Sequence, residues 1–270
     1  MKGDRKLMQV RTLLLFSLIF FFQHSALAQT SDGITTSKDA VYGEPGIDIL
    51  YSHTAGASLF AHSQGAGLNI RYGKYRTAKS SMSFAFDLFY TKHLQEELTS
   101  NPGYSEALPY TFGKANSMFS MRFVAEKRRE ITPKLRYGAV QVGFLHRYGI
   151  NLGFLKPVYL NIGYPDLPYE YVLTERYDPE NHFYHDIYGR APWVNGLDDV
   201  KLVPGLHGGC GLTFEYGNER GLTRSFEIGA FLDVYLQEME IMSNLFVDPN
   251  RFFLGLYIKI EMGSNWTDAR

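Results

Sequence analysis

The stretch SFEIGAFLDVYL, residues 225 to 236, decides the fold. Its even positions read Phe226, Ile228, Ala230, Leu232, Val234 and Leu236, and its odd positions Ser225, Glu227, Gly229, Phe231, Asp233 and Tyr235. Side chains alternate between the two faces of a strand, so one face is wholly apolar and the other carries two carboxylates. The pattern recurs along the chain. Met82, Phe84, Phe86, Leu88 and Tyr90 oppose Ser83, Ala85, Asp87, Phe89 and Thr91. Phe252, Leu254, Leu256, Ile258 and Ile260 oppose Arg251, Phe253, Gly255, Tyr257, Lys259 and Glu261. Between Lys201 and Tyr216 the apolar set includes Leu206, Cys210, Leu212 and Phe214, against Lys201, His207, Thr213 and Glu215. Weaker segments at about 66 to 77, 115 to 130 and 136 to 158, with a short one at 56 to 63, bring the expected strands to eight.

The connections between these segments alternate in length. Tight links fall at Thr77 to Ser80, Thr132 to Arg136 and Gly217 to Gly221. Long ones run from Leu94 to Gly113, Tyr159 to Val200 and Gln237 to Asn250, and the first hairpin, at Gln64-Gly65, is short. Short turns at one end and long loops at the other are the habit of an outer-membrane β-barrel. An even number of strands closes such a barrel and leaves no unpaired edge in lipid. The expected fold class is therefore all-β: an antiparallel up-and-down transmembrane barrel of eight strands. The competitor is a soluble secreted barrel that turns its apolar face inward around an apolar ligand.

The remaining sequence fits export. Residues 1–28 read as a cleaved signal peptide: Lys2, Arg5, Lys6 and Arg11 precede the apolar run LLLFSLIFFF, and Ala26-Leu27-Ala28 supplies small residues for cleavage. The run is too short for an ordinary spanning helix, which needs about 20 apolar residues. Removing this segment takes four of 27 basic and one of 28 acidic side chains, leaving 23 against 27 and a net charge of −4. No basic block suggests nucleic acid. Cys210 is the only cysteine, so no disulfide forms within the chain. The rest reads as a segment 29–55, expected to be partly disordered, one barrel domain over 56–263, and a tail 264–270.

With apolar faces toward lipid, the opposite faces fill the lumen. The expected polar network is Arg71, Asp87, Arg122, Glu126, Arg147, His207, Glu215, Glu227, Asp233 and Lys259. Eight strands enclose a space that side chains just fill, so these charges pair and plug the lumen instead of lining an open pore.

Five phrases taken in order, GLNIRYGKYRT (67–77), GFLKPVYLNIGY (153–164), RYDPENHFYHDIYGRAPW (176–193), LVPGLHGGCGLTFEYG (202–217) and FFLGLYIKIEMG (252–263), resemble an uncharacterised group of small outer-membrane β-barrel proteins of Bacteroidota. The resemblance spans about Ala57 to Gly263. It implies residence in the outer membrane and brings no substrate or catalytic residue with it. One departure is the ending TDAR, where many such barrels finish their last strand on an aromatic residue; the nearest here is Trp266.

The longest loop, 159–200, holds the densest chemistry. If residues 178–186 make a helical turn, Asp178, His182, His185 and Asp186 share one face, and the two imidazoles with a carboxylate could hold a divalent ion. Asp178 also reads as a plain N-cap, with Pro179 in the first turn. Arg190 and Trp193 suit a lipopolysaccharide phosphate at the membrane interface. The pattern lacks HExxH, and the one adjacent Ser/His pair, His62-Ser63, points to opposite faces of a strand. No catalytic residue or cofactor is assigned, and the metal is left unknown, with His182 and His185 its ligands if one binds. The functional expectation is a monomeric structural or binding barrel in contact with outer-membrane lipid, with an envelope protein or small molecule met at its external loops. The alternative is an outer-leaflet hydrolase or acyltransferase that modifies lipid A.

Overall fold

The computed structural model describes residues 51–104, 106–133, 140–164, 169–216 and 221–267. The expected signal peptide 1–28, the segment 29–50 and residues 268–270 lie outside these. So do most of the expected turns at Thr132 to Arg136 and Gly217 to Gly221.

Eight strands close into one antiparallel barrel: β1 (His53–His62), β2 (Gly65–Thr77), β3 (Ser80–Thr91), β6 (Asn116–Thr132), β7 (Gln141–Pro157), β11 (Lys201–Tyr216), β12 (Leu222–Met239) and β13 (Asn250–Trp266). Each pairs with its neighbour in the chain, and β1 closes on β13. The strands run further than the alternation alone suggested. The barrel begins at His53 and ends on Trp266, wider at both ends than 56–263. Five short strands lie in the long links: β4 (Leu98–Thr99), β5 (Tyr110–Thr111), β8 (Tyr159–Tyr164), β9 (Tyr171–Arg176) and β10 (Ile187–Arg190).

The register fixes the geometry of the barrel. Starting from Tyr257, successive partners are Gly229, Gly211, Leu145, Arg128, Ser81 and Tyr75, whose amide donates to the Ser52 carbonyl. In the other direction Tyr257 faces His62. One circuit thus displaces β1 by 62 − 52 = 10 residues, a shear of ten. With strand spacing of about 4.8 Å and rise of about 3.3 Å, that shear tilts eight strands by about 40° from the axis.

Parity then sends every side chain in or out, and the charged faces go in. Along β13, Phe252, Leu254, Leu256, Ile258, Ile260 and Met262 are 45–69% exposed, while Phe253, Tyr257, Lys259 and Glu261 are 1–7% exposed. On β3, Phe84 and Leu88 face out, and Asp87 and Phe89 are buried. At that tilt the ten steps from Phe252 to Met262 climb about 25 Å, the height of the apolar band of a transmembrane barrel. A barrel enclosing an apolar ligand would have the reverse arrangement.

The lipid face generates a depth-dependent prediction. Leu256→Arg, midway up the band, should cost about 2–4 kcal/mol of folding free energy in lipid vesicles, and Phe252→Arg, near its outer edge, about 0–1 kcal/mol. Urea unfolding from vesicles measures both. Equal costs at the two depths would contradict the outward placement of this face.

Candidate functional site: the lumen network and the outer cap

Inside the barrel, charges alternate in sign from the loop end to the turn end. His207 Nδ1 lies 2.7 Å from Asp233 Oδ1, and Asp233 Oδ2 accepts from Arg122. The Arg122 guanidinium sits 3.8 Å from the Phe89 ring centre and 4.7 Å from that of Phe231. It also faces Asp87 at 3.6 Å. Asp87 accepts from Arg147 at 2.9 and 3.0 Å and from the Asn69 amide at 2.6 Å. Arg147 Nε is 2.9 Å from Glu126. Lys259 pairs with Glu227 at 3.0 Å, and Glu227 also accepts from the Tyr257 hydroxyl at 2.6 Å. Arg128 bridges Glu227 at 3.7 Å and Glu261 at 3.6 Å, and Glu261 closes the series on Arg71. Five cations (Arg71, Arg122, Arg128, Arg147, Lys259) thus meet five carboxylates (Asp87, Glu126, Glu227, Asp233, Glu261).

All ten expected network residues face the lumen. Nine are buried; Glu215 sits at the turn-end mouth beside Arg71, Tyr75, Arg128 and Glu130. Sequence reasoning placed Lys201 in the lumen as well, but it is exposed at the outer rim, where β11 begins. The apolar and hydroxyl members of the interior carried no signal of their own. Above the charges, Met118, Leu155, Val203, Tyr235, Met239, Ile241 and Phe253 form a buried apolar cluster. The Tyr235 hydroxyl is held by Ser120 at 2.9 Å and Asn151 at 2.8 Å.

The three long links fold over this end. β8 pairs with both β9 and β10 in a three-stranded sheet, and β4 pairs with β5. Tyr110, Leu160, Ile162, Tyr177 and Ile187 make a second core, with Phe112, Val158 and Tyr164 against it. Backbone bonds lace the links together: Val158 to Ala115, Ala115 and Asn116 to Ile241, Arg190 to Leu108 and Ser243 to Gly113. Gly113 takes a φ of +76°, and a Cβ there would lie 3.0 Å from Phe246, so the crossing needs glycine. Lys114 is buried between Glu96, 2.6 Å away, and the Tyr90 hydroxyl at 2.8 Å, which fastens the first link to the barrel rim.

The cluster Asp178, His182, His185 and Asp186 lies in this cap, but not as one helical face. Residues 178–186 form tight turns leading into β10. Asp178 accepts from the Glu180 amide at 3.0 Å and the Asn181 side chain at 2.7 Å, and its own amide donates to His182 Nδ1 at 3.1 Å. His182 is buried and turns Nε2 to Glu175, 3.3 Å away. His185 is exposed, stacks on Phe183 and faces Asp186 at 3.2 Å. The two imidazoles therefore serve different carboxylates, and among the described residues no three His, Cys, Asp or Glu side chains converge as metal ligands. Arg190 is exposed on β10. Trp193, 59% exposed, sets its ring edge-on to outward-facing Phe119 and lies 5.5 Å from Lys156 Nζ. His62 is buried while Ser63 is exposed beside it, so that pair does not assemble a nucleophile and base.

Faces and closure together define a transmembrane β-barrel with a side-chain-filled lumen and a folded cap. No protein-family model matches the sequence, and no curated protein matches it. Among solved structures the chain is similar to Neisserial surface protein A, at 9% identity over 81% of this chain and 97% of that one, with a TM-score of 0.36. It is also similar to Ail, the attachment invasion locus protein of Yersinia pestis, solved with the heparin analogue sucrose octasulfate, at 9% identity over 79% and 96%, with a TM-score of 0.34. Likeness this remote carries no argument about function, and the fold rests on the chain's own strand pairing.

Two predictions come from these sites. Arg122→Met leaves Asp233 and Asp87 short of a cation in a buried place, so it should destabilise the barrel by roughly 3–5 kcal/mol in urea unfolding. A change within the error of the measurement would show that the network is hydrated and replaceable. In the cap, the Glu180 amide and the Asn181 side chain hold the Asp178 carboxyl below its usual range. A depressed carboxyl contributes its stability above the unfolded pKa and loses it as pH falls through the folded one. The 178–182 turn should therefore stay closed until the pH drops below the ordinary Asp range, as read from the Glu180 and His182 amide shifts by NMR, and Asp178→Ala should open it at neutral pH.

Proposed function

We propose that the protein resides in the outer membrane of a bacterium as a sealed, non-conducting barrel and that its cap, chiefly residues 159–200, is its binding surface. One observation carries this reading: five ion-paired cations and five carboxylates fill the lumen beneath an apolar cluster, so ligand chemistry is left to the outer surface. The cap suits that role because it is folded, with its own apolar core, and not a set of loose loops. It presents Tyr171, Phe183, Tyr184 and Trp193 outward. Rigid aromatic side chains offer contact area at low entropic cost. Trp193 and Arg190, both exposed on the same link, are suited to the phosphates of lipopolysaccharide, and the exposed aromatics to an envelope protein or small molecule. Closure leaves the barrel no free edge, consistent with a monomer.

Fractionation with unboiled gels tests residence: the protein should sediment with outer membranes and migrate faster before boiling. Planar-bilayer recording tests the seal, with no conductance steps expected from the wild-type protein. Recovery only from the periplasm would end the membrane reading, and steady ohmic steps would end the sealed one.

A further inference from the structure

The turn end of the barrel carries charge that closure does not require. On the outward face, Trp266 of β13 lies opposite His53 of β1, His53 opposite Lys74 of β2, Lys74 opposite Met82 of β3, and Met82 opposite Lys127 of β6. Two residues nearer the turn on β6, Arg129 faces Ser80. Arg76 follows Lys74 at the bulge that ends β2, and Lys79 stands in the β2–β3 turn. All five cations are exposed, and among the described residues none has an ion-pair partner. Glu130, beside Arg129, lines the lumen mouth, and so does Lys79, whose carbonyl accepts from the Glu130 amide. One outward row toward the loops, the same strands present Tyr72, Phe84 and Ala125, where the apolar band begins.

Strand tilt decides how these cations sit in a membrane. At about 40°, a register row climbs about 3 Å per strand, and each residue along a strand climbs about 2.5 Å. Arg129 then lies within about 1 Å of the level of Lys74, Lys127 about 6 Å above them, and Arg76 and Lys79 roughly 5 Å below. The band is about as deep as a lipid headgroup layer and lies at the lower edge of the apolar surface. It is also local. At the same end of β11 to β13, the exposed described residues of these strands are Tyr216, Leu222, Arg224, Met262, Ser264 and Trp266.

We propose that β2, β3 and β6 form a binding site for anionic phospholipid in the leaflet that faces the short turns. This rests on the membrane reading above. Lysine supplies point charge and arginine a planar fork, and both suit headgroup phosphates. Lys127 identifies the partner as lipid, because it stands at the hydrocarbon edge, where a headgroup reaches it and a protein approaching from the aqueous phase does not. A single interfacial lysine would be ordinary snorkelling; four cations on three adjacent strands, Lys74, Arg76, Lys127 and Arg129, make a field of one sign.

The test uses the full mature protein in phosphatidylcholine nanodiscs containing a minor fraction of phosphatidylglycerol, with retained lipids read by native mass spectrometry after transfer to neutral detergent. The wild type should retain phosphatidylglycerol over phosphatidylcholine and release it as salt is raised. At roughly fivefold per cation, Lys74→Gln/Lys127→Gln/Arg129→Gln should lower that preference by tenfold or more. Lys201→Gln/Arg251→Gln, at the outer rim, should leave it unchanged. Wild-type protein without a preference, a preference indifferent to salt, or one surviving the triple substitution overturns the site. Should the triple variant not fold, the salt series on the wild type decides alone. Failure of the wild type to insert overturns the membrane reading and the site with it, and the absence of a heat-modifiable form separates that outcome from insertion without preference.

Discussion

The structure depends on one constraint: a backbone that crosses hydrocarbon must satisfy every amide and carbonyl itself. Pairing β1 with β13 meets it, because closure leaves no strand edge facing lipid. Closure with a shear of ten then fixes parity around the ring, and parity assigns each side chain to lipid or lumen. A one-residue slip of β12 would send Glu227 and Asp233 into the bilayer and Ile228 and Val234 into the charged interior. The alternation in SFEIGAFLDVYL therefore specifies register as well as strand type.

That assignment creates the interior problem that the ion network solves. Eight strands leave no room for bulk water, so a charge facing inward needs a partner of opposite sign within reach. The partners come from different strands: Asp87 on β3 takes Arg147 from β7 and Arg122 from β6, and Glu261 on β13 takes Arg71 from β2. These contacts join strands far apart in sequence. Buried pairs of this kind give little net stability against an apolar filling, but removing one member is costly. An apolar lumen would make strands apolar on both faces, with no pattern to distinguish the side that meets lipid. The network is thus consistent with a device for setting orientation more than for adding stability.

Parity also explains what the sequence discloses and what it withholds. Lumen residues such as Arg122 and Lys259 were legible because a charge between apolar neighbours can point only inward. Lys201 was misplaced by the same logic, since at the first residue of β11 the strand has left the band and parity no longer implies burial. In sequence the cap reads as a loop because β8, β9 and β10 have six, six and four residues, too few for alternation to register. β9, with four of its six residues exposed in a row, has no buried face to alternate against. The His182 and His185 pairing failed for a related reason. Spacing of three brings side chains together only on a helix, and here the chain reverses at Asp178 and turns again before β10, carrying the two rings to Glu175 and Asp186.

The two ends of the barrel are closed by different physics. At the loop end an apolar cluster and a folded cap separate the charges from solvent. At the turn end the lumen opens to a mouth lined by Arg71, Lys79, Arg128, Glu130 and Glu215, with Lys74, Arg76, Lys127 and Arg129 outside it. The apolar cluster covers the charges at the end where the long links fold. A polar mouth leaves the charges at the turn end within reach of solvent. The same alternation that drives Asp87 inward along β3 places Lys74 and Lys127 outward along β2 and β6, just below the apolar band. Lumen pairing and the basic patch are thus two consequences of one register.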